Sequence, residues 1–112
     1  MNKLQKNLVV AICLLVVPAV AVIYLRTPQY QAHTAQELAE KGDAAAQYRT
    51  CLNYALGNGV GKDMVEAARW ALKAEAQNYH CREKLAGDVY DDLVAEMARQ
   101  DKLAGRKPVD RH

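Results

Sequence analysis

The feature that most limits what this chain can become is an unbroken apolar run near its start. Residues 8–25 carry no charge, Lys3 and Lys6 precede them and Arg26 closes them. As a helix these 18 residues rise about 27 Å at ~1.5 Å each, close to the ~30 Å hydrocarbon core of a bilayer. A helix apolar on every side has no face to give to water, so it belongs in lipid. Two lysines and the amino terminus on one side, against Arg26 on the other, predict an N-terminus in the cytoplasm and everything after Arg26 outside. The same start also suits a signal peptide: residues 8–17 resemble its apolar part, and Pro18 followed by Ala19-Val20-Ala21 offers a small-x-small cleavage site near Ala21. Against cleavage, the run continues through Val22, Ile23, Tyr24 and Leu25, with Tyr24 and Arg26 as an interfacial boundary. An uncut anchor over residues 1–26 is therefore favoured over a secreted product. Cys13 follows the bulky Ile12 and reads as an ordinary apolar residue, not a lipid attachment point.

What remains of 112 residues leaves room for one small domain. Its composition is globular and rich in alanine, with no phenylalanine, which suits closely packed helices. Without Lys3, Lys6 and Arg26, the 15 basic residues fall to 12 against 13 acidic ones. A near-neutral domain lacks the basic face that releases counterions from nucleic acid, so that class of partner is excluded.

Helix punctuation organises this remainder. Thr27-Pro28 ends the apolar helix, and residues 27–33 read as a polar linker. Thr34 caps a short helix through Glu40, with Glu37 completing a capping box and Gly42 stopping it. Asp43 caps a helix over residues 44–56, and Gly57-Asn58-Gly59-Val60-Gly61 forms a turn. Asp63 with Glu66 makes a second capping box, opening a helix to about Gln77 that Asn78 ends. A last helix over residues 80–103 places Leu85, Val89, Leu93 and Met97 on one apolar stripe. Residues 34–103 are thus the domain and 104–112 a polar, mobile tail. Tyr90 lies 36 positions after Tyr54, and the same shift pairs Ala35 with Ala71. A shift of that size is the mark of stacked helical units. The echo fades after Tyr90, so the stack has an apolar end that the last helix or a partner must cover, and Leu93 and Met97 are the candidate interface.

Ala39 to Ala44, then Ala46-Gln47-Tyr48, Tyr54, Gly57-x-Gly59-Val60, Lys62-Asp63 and Glu66-Ala67-x-Arg69-Trp70-x-x-Lys73-Ala74 resemble one full Sel-1-like repeat, a relative of the tetratricopeptide repeats. With Gly42 before this unit and Gly87 and Tyr90 after it, the resemblance covers residues 38–90. The sequence departs from the family at Thr50, Cys51 and Ala71. The resemblance implies an all-α fold: the transmembrane or signal helix, then a short tetratricopeptide-like α/α hairpin and a C-terminal helix. It further implies a bacterial envelope protein, tethered in the inner membrane, that binds another protein in the periplasm. Some cysteine-rich secreted relatives are associated with β-lactamase-like activity. A third possibility is a small regulator or subunit of a membrane complex that acts through its transmembrane helix.

The chemistry-bearing residues favour contact. The chain has no serine, hence no serine nucleophile, and Gly57-x-Gly59-x-Gly61 joins two helices instead of following a strand as a phosphate loop would. No cofactor fingerprint is present. His80-Cys81 with Cys51 falls short of the four ligands of a structural zinc. Asp88, Asp92 and Glu96 share a helix face with Lys84 and Arg99 nearby, which reads as a solvated charged surface. Cys51 and Cys81 either bridge or stand as two separate buried residues. The shift of 36 sets Cys81 level with position 45, about 9 Å along the helix from Cys51, so a bridge requires the helices to slide or tilt. In the secreted relatives the cysteine pairs join one helix end to the next helix start, where this chain has Ala74 or Glu75.

Overall fold

Helix α1 (Lys3–Leu25) opens the chain in a computed structural model that describes residues 2–105. It starts ahead of the apolar run because Asn2 and Gln5 form a capping box: the Asn2 side chain accepts the Gln5 N–H at 2.9 Å, and Gln5 Oε1 accepts the Asn2 N–H. Pro18 lies inside it, and none of its residues is buried. The helix is long and apolar enough to cross a membrane, and its N-terminal position equally suits a signal sequence.

Four more helices follow: α2 (Pro28–Glu40), α3 (Ala44–Leu56), α4 (Met64–Glu75) and α5 (Gly87–Leu103), with a 3₁₀ turn at Cys81–Lys84. Among the described residues there is no strand, and the chain is all-α. The segment 27–33 is not a linker. Thr27 caps α2 by accepting the Tyr30 N–H, and Pro28 takes the first helical position, where a missing N–H costs nothing. Thr34 therefore sits inside the helix, its hydroxyl donating back to the Tyr30 carbonyl, while Glu37 pairs with His33 instead of completing a box.

The other caps lie where the sequence puts them. Asp43 accepts the Ala46 N–H, and Asp63 accepts those of Val65 and Glu66. The second box is only half made, because the Asp63 N–H donates to the Tyr54 carbonyl and Glu66 turns to Arg69. Asn78, at φ 68°, ends the α4 segment. The continuous last helix is a further correction. Leu85 and Ala86 are extended, which splits residues 80–103 into the 3₁₀ turn and α5. Of the tail, residues 106–112 lie outside the described residues.

Hydrogen bonds between elements fix the topology. At one end Gln77 donates to Gln47 and to the Gly42 carbonyl; at the other the Asp63 N–H meets the Tyr54 carbonyl, so α3 and α4 are antiparallel. Gln47 reaches the Ala39 carbonyl and the Tyr54 hydroxyl donates to Gln36 at 2.9 Å, which sets α2 antiparallel to α3. Gln100 donates to the Val65 carbonyl and aligns α5 in the same way on α4. The result is a stack in which α3 lies between α2 and α4, and α4 between α3 and α5.

The core suits this close stacking. Ala39, Ala46, Ala55, Ala67, Ala68 and Ala71 let backbones approach, and Trp70, Leu93, Met97 and Leu85 fill the space between them. α2 and α4 begin 36 residues apart, and Ala32 and Ala35 are buried like their counterparts Ala68 and Ala71. α3 and α5 begin 43 apart, because the turn through residues 78–86 intervenes.

Candidate functional site

The interhelical turn is built tightly against its neighbours. Gly57 adopts a left-handed conformation (φ 70°) that ends α3. Gly59, at φ 76°, lies so close to the start of α2 that an added Cβ would stand 2.1 Å from the Pro28 carbonyl oxygen. Only glycine fits there. Val60 is half-buried beside it, and Asp63 begins α4. Ala67, Trp70 and Ala74 are fully buried, and Arg69 and Lys73 flank the indole with their charges 4.6 Å and 4.8 Å from a ring centroid. Gly42 lies between α2 and α3, Gly87 opens α5, and Tyr90 is half-buried against the core.

Leu93 and Met97 play a part other than the one expected of them. Both are wholly inside the core, so α5 itself covers that end of the stack and neither residue is available as an interface. Cys51 and Cys81 are joined in a buried disulfide with Cα atoms 6.4 Å apart. The axial offset expected from the repeat shift does not arise, because Cys81 stands on the 3₁₀ turn after the reversal at Asn78, not on a helix parallel to α3.

Beside the bridge, Arg82 Nε lies 3.3 Å from Glu75 Oε1 with both side chains buried, and His80 Nδ1 is 3.6 Å from the same oxygen. No helix spacing marks Glu75 and Arg82 as partners, since the turn brings them together. The carboxylates of Asp88 and Asp92 are exposed, and Arg99 grips Glu96. That hydrogen bond from Arg99 holds the Glu96 carboxyl below its ordinary value, against the opposing effect of burial. Among the described residues no cluster of His, Cys, Asp and Glu could hold a metal ion.

A concavity follows the α2–α3 seam. A groove of about 310 Å³ is lined by Gln31, Thr34, Ala35 and Leu38 of α2, with Asp43, Ala45, Ala46 and Arg49 opposite. A second hollow of about 280 Å³ continues it past Gln31 and Arg49 to Leu52 and Leu56. The sequence does not announce this surface, because residues 27–33, which open α2, carry the pattern of a polar linker. The signal for it was the shift of 36: Gln31, Thr34 and Leu38 stand where α4 has Ala67, Trp70 and Ala74. On α4, which has a helix on either side, those positions are buried. On α2, whose helix neighbours are α3 and the end of α1, Gln31 and Leu38 are exposed and Thr34 half-buried.

These features define a class by architecture: an apolar N-terminal helix followed by an antiparallel helical stack, closed by α5 and open along α2. Comparison with protein-family models, with curated proteins and with solved structures returns no match for the chain.

Proposed function

We propose that the chain is a non-enzymatic, membrane-tethered contact module of the Sel-1-like kind. In this reading α1 stays uncut in the bacterial inner membrane with its N-terminus inside, and α2–α5 bind another protein in the periplasm. The observation that carries the reading is the open side of α2, where Thr34 and Leu38 leave a groove at the positions that Trp70 and Ala74 occupy in the core. An apolar groove rimmed by Arg49 and Asp43 suits an incoming helix with a bulky side chain, since α2 supplies no knob of its own. The buried Cys51–Cys81 bridge supports placement outside the cytoplasm, because such bonds persist in oxidising compartments.

A photo-crosslinking residue at Ala45, in the full chain in native membranes, tests the reading. Ala45 is expected to trap a partner of discrete mass, and Leu38→Asp to abolish the adduct while the protein stays folded, Leu38 being 45% exposed. The same probe at Arg99, on the exposed face of α5, is expected to trap no protein. An adduct that survives Leu38→Asp would remove the groove from the reading.

A further inference from the structure

We propose that the end of the helical stack nearest α1 is a lipid-facing surface, resting on the anionic phospholipid headgroups of the bilayer that α1 crosses. This rests on the anchored reading above. Only Arg26 and Thr27 separate α1 from α2, and the Tyr24 and Tyr30 rings meet across that link with centroids 5.3 Å apart. Two residues span about 7 Å at most. With α1 filling a hydrocarbon core of ~30 Å, α2 begins inside the headgroup layer.

The antiparallel stack brings other segments to the same level. Gly59 lies on the Pro28 carbonyl, the Asp63 N–H meets the Tyr54 carbonyl, and Gln100 reaches the Val65 carbonyl. The ends of α3 and α5 and the start of α4 are therefore level with the start of α2. The molecule measures 75 × 28 × 20 Å and α1 touches no helix but α2, so α1 projects from this end and does not fold back along the stack.

The two ends differ in chemistry. Leu56, Val65 and Leu103 are 57%, 50% and 73% exposed at the near end; beyond α1 only Leu38 and Tyr79 join them as exposed large apolar residues among those described. Exposed Lys62, Lys102 and Arg26 stand beside them, while the Asp63 carboxylate is taken up by the first amides of α4. At the far end the exposed carboxylates of Glu40, Asp43, Glu83, Asp88, Asp91 and Asp92 outnumber the exposed Lys41, Lys73 and Lys84. Apolar side chains flanked by Lys62, Lys102 and Arg26 match a boundary where acyl chains meet phosphates, and the excess of carboxylates at the opposite end is held away from it.

Hydrogen exchange of the full chain in nanodiscs decides the matter, with discs of phosphatidylcholine alone compared against discs that also contain phosphatidylglycerol. Residues 56–66 and 99–105 are expected to exchange several-fold more slowly in the anionic discs, and residues 36–49 equally in both. High salt and Lys62→Glu/Lys102→Glu are each expected to remove the protection. The salt series on the unaltered chain stands alone should the double variant fail to fold by circular dichroism. Exchange that ignores lipid charge overturns the proposal and leaves this end to a protein. Release of the chain by alkaline carbonate would defeat the anchored reading itself, whereas a retained chain with lipid-independent exchange defeats only the surface.

Discussion

Trp70 is the residue on which the stack depends most. It is the largest fully buried side chain, in a core otherwise built mainly from alanine, so nothing nearby can expand into its place. Trp70→Ala is expected to cost about 3–5 kcal/mol, read as a fall in the denaturation midpoint of the full chain in detergent; an unchanged midpoint would remove the indole from the core. Glu96 makes a smaller and pH-dependent contribution. Its carboxyl is held below its ordinary value chiefly by the Arg99 hydrogen bond, so the stability it adds is present above the unfolded pKa and is lost as pH falls through the folded one. The difference in melting temperature between the native chain and Glu96→Gln should therefore be largest near neutral pH and shrink as pH falls below the ordinary carboxylate range. A gap that widens on acidification would contradict the assignment.

Among the elements, those stated by local chemistry were legible in the sequence. The apolar run gave α1, Asp43 and Asp63 gave the starts of α3 and α4, and Gly57 gave the end of α3. Where two local signals competed, the reading failed: Thr27 with Pro28 outweighed Thr34, so α2 begins six residues before Thr34. The break at Leu85 and Ala86 has no proline to announce it, and tertiary packing decides it through the bridge and the buried Glu75–Arg82 pair. The reversal at Asn78 is why the sequence left the bridge open, since only a reversed chain brings Cys81 back to α3. The bridge is expected to matter for stability: Cys51→Ala/Cys81→Ala should lose about 2–4 kcal/mol against the oxidised chain, and reductant should have no further effect on the variant. Closure by α5 is tested by Leu93→Asp with Met97→Asp, which should unfold α2–α5 while α1 still inserts. A double variant with native circular dichroism and melting would show that α5 does not close the stack.

At the scale of the whole molecule, α1 exposes apolar surface on every side, and the stack it carries is closed at one edge and open at the other. The groove was only partly legible in the sequence: the shift of 36 sets Thr34 against Trp70, but the space this leaves appears only when α2 is compared with α4 in three dimensions. Both the groove as a partner site and the near end as a lipid surface require the helical stack to lie outside the cytoplasm on a retained anchor. A C-terminal alkaline phosphatase fusion, assayed in membranes washed with alkaline carbonate, measures both requirements at once. The expected result is an active enzyme that stays in the pellet, as the lysines at the start of α1 direct. Well-expressed but inactive fusion would reverse the orientation, and active enzyme released into the supernatant would show that α1 is removed.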